Sequence, residues 1–227
     1  MRYNAFKHSD PLTLKVAHFL RRAIVQGELK DGDRLNELLI SSRLKISRSP
    51  IREAFRILES ENLVEIRSRL GAFVKTLSLK EAEETCEIIG LLEQTAIRRT
   101  ARRLSSDKEK ELNSIIGQLE GKLKARKFRD FLTFSMRLHH FIVDACESSL
   151  LIKIHRDLQP QYERIRRELG IDQEEMSRSL KEHLAIARAL LDRNGGEAER
   201  LLMKHMEGGA KRVLEHLSKA ALRSKSA

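Results

Sequence analysis

The sequence predicts a mainly α-helical chain in two parts: a small N-terminal domain of three helices closed by a two-stranded hairpin, then an antiparallel all-helical bundle. Three observations carry this. Apolar residues recur at helical spacing along most of the 227 residues, and only 3 prolines interrupt them, Pro160 being the only one after Pro50. Strand-like segments rich in β-branched and aromatic residues are confined to 63–67 and 72–75. The charge is also uneven. Of the net +11, residues 1–77 carry 15 basic against 9 acidic side chains, a net of +6, which leaves +5 for the other 150 residues.

The first helix is read from Leu12 to Gly27, where Leu14, Val16, Ala17, Phe19, Leu20, Ile24 and Val25 make one apolar stripe. Residues 27–33, rich in Gly and Asp, form a turn. A second short helix over 36–44 carries Leu38, Leu39, Ile40 and Leu44. Lys45-Ile46 breaks it. Ser47 is a good N-cap for a third helix, and Pro50 suits that helix's first turn. Within the third helix Arg48, Arg52 and Arg56 recur every four residues and share one face. Ile51, Ala54, Phe55 and Leu58 occupy the other side. A short helix that is basic outside and apolar inside fits a DNA major groove. The strands 63–67 and 72–75 are joined by a tight connection at 68–71, with Arg67 and Arg69 at its tip, in reach of phosphates or a minor groove. Helix, turn, basic helix and hairpin make a winged helix-turn-helix.

These residues bring a family into view. Ala23-Ile24, Gly27, Gly32 to Glu37, Ser47 to Ala54, Leu58-Glu59 and Gly71 form a long, ordered pattern. Over residues 13–75 it resembles the DNA-binding domain of GntR-type bacterial transcription regulators. The resemblance implies that Arg34, Arg48 and Arg52 contact DNA, that Ser47 and Ser49 contact phosphates, and that Gly71 is the wing-tip glycine beside the minor groove. Arg69 would add a wing contact. Arg56 lies outside the family's core pattern.

A domain boundary near 77–79 gives a DNA-binding domain over 1–77 and a helical domain over 78–227. Helices are expected at 79–104, 106–126, 128–146, 148–169, 173–192 and 195–220, with Ser106 and Asp172 as N-caps and a frayed tail after Ala220. No apolar run approaches the roughly 20 residues of a membrane span, and Met1 to Asp10 lack a signal-peptide core. The two cysteines, Cys86 and Cys146, read as reduced core residues of a cytoplasmic protein.

Three histidines in the helical part point toward apolar faces of three different helices. His139 shares a face with Ser135, Ile142 and Cys146; His183 lies beside Leu180, Leu184 and Ala187; His205 lies beside Leu201, Leu202 and Met206. Imidazoles converging from separate helices suit Zn, Ni or a similar divalent transition metal. Residues 80–218 resemble the all-helical effector domain of the FadR branch of GntR regulators. That resemblance implies a metal site of an aspartate and three histidines, the last two 22 residues apart, as His183 and His205 are. The aspartate position is held here by Ser135. The position of an arginine that grips carboxylate ligands in relatives is held by Ile89, with Arg98, Arg137 and Arg164 as substitute candidates. Ile89 and Ser135 point to a more apolar effector pocket, fit for an acyl chain.

The expected function is a homodimeric regulator that binds double-stranded DNA at an inverted repeat and answers to a small-molecule effector, with no membrane partner. Two rivals from other classes stand against it. A non-specific architectural DNA-binding protein would have no use for the buried histidine cluster. A three-histidine metalloenzyme lacks a nucleophile motif and a carboxylate spaced as a general base; Glu182 adjoins His183 in sequence but faces another side of its helix.

Overall fold

The computed structural model describes residues 11–125, 131–167 and 172–225. Among them run α1 (Leu12–Val25), β1 (Arg34–Leu35), α2 (Glu37–Leu44), α3 (Arg48–Ser60), β2 (Val64–Arg67), β3 (Gly71–Val74), α4 (Leu79–Arg102), α5 (Ser106–Ala125), α6 (Phe131–Ala145), α7 (Ser149–Arg167), α8 (Gln173–Leu191) and α9 (Gly195–Lys225). They fall into two compact units. One comprises residues 1–78 with 158–167; the other comprises 79–157 with 168–227. Helices dominate, as expected. The expected breaks at 127–129 and 170–171, the start of the sixth helix at 128 and the N-terminal stretch 1–10 lie outside the described residues.

In the first unit the apolar stripe of α1 (Val16, Ala17, Leu20, Ile24) packs on the inner face of α3 (Ile51, Ala54, Phe55, Leu58) and on Leu35, Val64, Ala72 and Val74. Burying a Leu or Ile side chain contributes about 1.5–3 kcal/mol, so this small cluster accounts for the unit's cohesion. Asn36 caps α2: its side chain accepts from the backbone N–H groups of Leu38 and Leu39. Lys45 ends α2 in the left-handed region, φ 54°, and turns the chain into α3. Ser47 is the N-cap of α3 by position, yet its hydroxyl makes no capping hydrogen bond.

The wing differs from the expectation. The sheet has three strands in the order β1-β3-β2, not two. Arg34 pairs with Phe73 and Leu35 with Ala72, while Val64 to Arg67 pair antiparallel with Val74 to Gly71. The extra strand is two residues long, too short to show a period of two in sequence. The hairpin turn uses positive φ at Arg69 (64°) and Gly71 (103°). The second of these favours glycine.

In the second unit α4 packs along α9 and α6, and α8 packs against α9 and α5. Of its two expected caps, Asp172 holds and Ser106 does not. Ser105, not Ser106, stands before α5, and its hydroxyl accepts from the Lys108 N–H. Asp172 caps α8 through the Glu175 N–H at 2.8 Å, and Asn194 accepts from the Glu197 N–H at the start of α9. Gly195 begins α9, as expected. Helix α9 continues to Lys225, beyond the end expected at Ala220. Cys86 and Cys146 are buried and form no disulfide, and no helix among the described residues is long and apolar enough to cross a membrane.

Candidate DNA-reading face and histidine cluster

In the first unit the residues singled out for DNA are exposed on α3, β1 and the hairpin. Arg48, Arg52 and Arg56 are all exposed on α3, opposite its buried Ile51, Ala54, Phe55 and Leu58. Ser47 and Ser49 are exposed at the start of the same helix, where N–H groups and the helix dipole favour an anion. Arg52 is held by an ion pair: its Nε donates to Glu37 of α2 at 2.8 Å. This pair fixes the side chain's direction at the edge of the helix-turn-helix. Arg34, exposed on β1, lies beside the hairpin turn; its Nε is 3.8 Å from where a Cβ on Gly71 would stand. A Cβ there would make ordinary contact with Arg34, so it is the positive φ of 103° that favours glycine at this turn. Arg67 lies 4.7 Å from the Phe73 ring centroid and pairs with Glu65, and Arg69 is exposed at the tip.

The second unit brings His139 (α6), His183 (α8) and His205 (α9) together. Their candidate ligand atoms all lie within 4.8 Å of one another, and all three residues are buried. The ring centroids are 5.1, 5.4 and 4.4 Å apart pairwise. The Nε2 atoms of His139 and His183 are 3.0 Å apart, and Ser135 Oγ lies 3.5 Å from His183 Nε2. Ser135 is fully buried one helical turn before His139. Ile89 is fully buried one turn before Glu93 on α4. The three substitute arginines lie elsewhere: Arg98 pairs with Glu199 at 2.5 Å, Arg137 donates to Gln118, and Arg164 pairs with Asp31 in the first unit at 2.5 Å.

Two carboxylates stand behind the cluster: Glu93, not singled out from sequence, and Glu182, known from sequence only as adjoining His183. Glu93 Oε2 accepts from His139 Nδ1 at 2.5 Å, and Glu93 Oε1 lies 3.2 Å from His155 Nε2 on α7. Glu182 Oε2 accepts from His205 Nδ1 at 2.7 Å. Glu182 does face away from His183, as expected, but that direction takes it to the next helix. With a carboxylate on Nδ1, the Nε2 lone pairs of His139 and His205 are turned into the cluster. Burial pushes the Glu93 carboxyl up; the attraction of His139 and the hydrogen bonds from His139 and His155 outweigh it and hold the group well below the usual carboxylate range. The hydrogen bond from His205 likewise lowers Glu182. A signal for Glu93 existed in the sequence: it is a carboxylate in the apolar stripe Ile89, Glu93, Ala96, Ile97. For His155, which falls four residues after Leu151, nothing distinguishes it from an ordinary core histidine.

The donor set fits a divalent transition metal: three imidazole nitrogens, two backed by carboxylates, in a buried pocket.

Comparison with known proteins agrees with both halves. Residues 12–74 match the bacterial regulatory proteins of the gntR family, and residues 84–208 match the FCD domain. The HTH-type transcriptional repressor RspR of Escherichia coli K12 is 25% identical over 199 residues, covering 88% of this chain and 87% of the repressor. Among solved structures, E. coli McbR/YncC has a TM-score of 0.78 at 19% identity, over 92% of this chain and 99% of that one. A GntR transcriptional regulator from Rhodococcus sp. RHA1 has a TM-score of 0.74 at 21% identity, over 89% and 97% of the two chains. The two family matches and the repressor relative identify a transcription regulator, not a metalloenzyme. The chain belongs to the GntR-type transcription regulators that join a winged helix-turn-helix domain to an FCD effector domain.

Proposed function

We propose that this regulator is a cytoplasmic homodimeric repressor, that residues 1–77 read an inverted repeat, and that residues 78–227 sense an effector at a metal held by His139, His183 and His205. The observation that carries the sensing role is the convergence of three buried imidazoles, two of them aimed by carboxylates, in a domain of the FCD family. When bound, the metal supplies a Lewis-acidic anchor for an effector oxygen. Zinc and nickel both suit such a nitrogen-rich set. Ser135, in place of a carboxylate, adds a small hydroxyl and no charge, so three histidines leave coordination positions for the effector. Ile89 supports an effector with an apolar portion, such as an acyl chain.

In DNA reading, Arg48 and Arg52 address base edges of the major groove, Ser47 and Ser49 address phosphates, and Arg34, Arg69 and Gly71 serve the wing. Effector binding shifts the DNA affinity by favouring one of two arrangements of the dimer. Support for repression comes from relatives named as repressors, RspR among them.

Elemental analysis of the purified protein beside His183→Ala tests the sensing role. Near-stoichiometric zinc or nickel in the wild type, lost in the variant, is expected. A wild type that takes up neither ion from excess refutes the metal. Thermal-shift screening then separates effector classes. Stabilisation by acyl-CoA esters supports the apolar pocket, and stabilisation only by small dicarboxylates refutes it.

A further inference from the structure

Glu93 divides its two oxygens between two histidines on different helices. Oε2 takes His139 on α6, and Oε1 takes His155 on α7. All three groups are fully withdrawn from water, with side-chain exposures of 0% for Glu93 and 1% for each histidine. Aiming His139 requires only one carboxylate oxygen. Leaving the other buried without a partner would incur the full desolvation penalty of a charged group. His155 removes that cost, although it lies outside the cluster of His139, His183 and His205. The comparison with Glu182 is instructive. Glu182 backs His205 alone, and at 34% side-chain exposure it can solvate its remaining oxygen. Where the carboxylate is buried, the fold adds a second histidine; where it is wet, none is needed.

We propose that Glu93 is a positioning residue for the histidine cluster. It holds His139 in the Nδ1–H tautomer with Nε2 presented to the cluster, and through His155 it ties the position of that ring to α7. A group drawn into the cluster pulls on His139 Nε2. The displacement passes through one carboxylate to α7, whose residues 149–157 share this unit. The affinity consequence rests on the metal reading above; the tautomer consequence does not.

The test combines long-range ¹⁵N–¹H correlation spectra of the histidine rings, zinc titration calorimetry, the visible spectrum of the Co²⁺ form, and hydrogen exchange of residues 149–157. The variants are Glu93→Leu, Glu93→Gln and His155→Gln. The wild type is expected to show His139 protonated at Nδ1. Glu93→Leu is expected to lose that tautomer, to weaken zinc binding about 10- to 100-fold and to alter the Co²⁺ bands. Glu93→Gln, which keeps an acceptor, is expected to recover part of both. His155→Gln is expected to abolish zinc-dependent protection of 149–157. If Glu93→Leu fails to fold, the wild-type spectrum alone decides. His139 protonated at Nε2 in the metal-free wild type overturns the proposal, as does zinc binding in folded Glu93→Leu with wild-type affinity and Co²⁺ spectrum. A wild type that ignores zinc but keeps the Nδ1–H tautomer removes the metal reading and upholds the positioning role.

Discussion

Arg52 does two jobs that a single substitution would confuse. Its guanidinium pairs with Glu37 at 2.8 Å, and its side chain is 62% exposed on the α3 face read as the DNA surface. An exposed pair of this kind contributes at most about 1 kcal/mol to stability, whereas a base-contacting arginine is worth about 1–3 kcal/mol of specific binding. The two can therefore be separated by size. Arg48→Ala, at an exposed position of α3, is expected to weaken binding to DNA selected from a random pool by about 1–3 kcal/mol and to leave the melting temperature in place. Arg52→Ala is expected to lose a similar amount of affinity and to lower stability by no more than about 1 kcal/mol. Fluorescence anisotropy and thermal melting of both variants decide it, and unchanged affinity in both would remove α3 from the reading surface. The residue scale also marks where sequence reading stops. The three histidines were legible because each sits in a helical apolar stripe. Their carboxylates were not, because Glu93 meets His139 across 46 residues and Glu182 meets His205 across 23. No local spacing encodes that meeting; it follows from how α4, α6, α8 and α9 pack.

At the scale of elements, the helices of the second unit were legible almost to their ends, since 15 to 31 residues give periodicity room to show. The misses are short or cooperative features: a two-residue β1, which exists because β3 offers it a partner, and the caps of α5 and α9, where a neighbouring Ser or Asn makes the bond. The last ten residues of α7 are helical, as expected over 148–169, but they group with the first unit and not with the rest of the domain expected over 78–227. Helical spacing says nothing of their packing in the first unit. There Arg164, 2% exposed, pairs with Asp31 at 2.5 Å and donates to the Lys75 carbonyl. Arg167 Nη1 donates to the carbonyls of Ile24 and Val25 at 3.0 and 3.2 Å, where the end of α1 favours a cation. This explains Gly27 twice over. Its φ is 72°, and a Cβ there would stand 2.3 Å from Arg167 Nη1. Gly27→Ala should therefore cost more than the roughly 1 kcal/mol of backbone strain alone, because Arg167 must also leave its carbonyls. In an Arg167→Ala background only the strain remains. Urea unfolding of the four proteins in this cycle is expected to show the alanine at 27 costing less when Arg167 is absent. Strict additivity would mean that Arg167 does not occupy this position in solution.

At the scale of the whole molecule, the proposed dimer must account for an affinity that one reading face does not provide. A single winged helix-turn-helix offers a few base contacts, and coupling two of them multiplies affinity by 10²–10⁴ through effective concentration alone. The two-fold symmetry of such a dimer is what makes an inverted repeat the matching DNA. The helical domain contains a surface suited to the role. On α4, Ile88 and Leu91 lie three residues apart and are 44% and 54% exposed, while the opposite side of the same helix carries buried Ile89, Glu93, Ala96 and Ile97. Large apolar residues grouped on an exposed helix face mark an interaction surface more often than isolated ones do. Leu91→Glu removes apolar area from that face and adds charge without touching the core, so it is expected to leave the fold and metal content intact. Light scattering is then expected to report a dimer for the wild type and a monomer for the variant. Affinity for a DNA carrying both half-sites should fall to that for a single half-site. If Leu91→Glu and Ile88→Glu both remain dimeric, the α4 face is not the contact. If both are monomeric yet still distinguish two half-sites from one, pairing on DNA does not depend on the helical domain, and effector control must act within each chain.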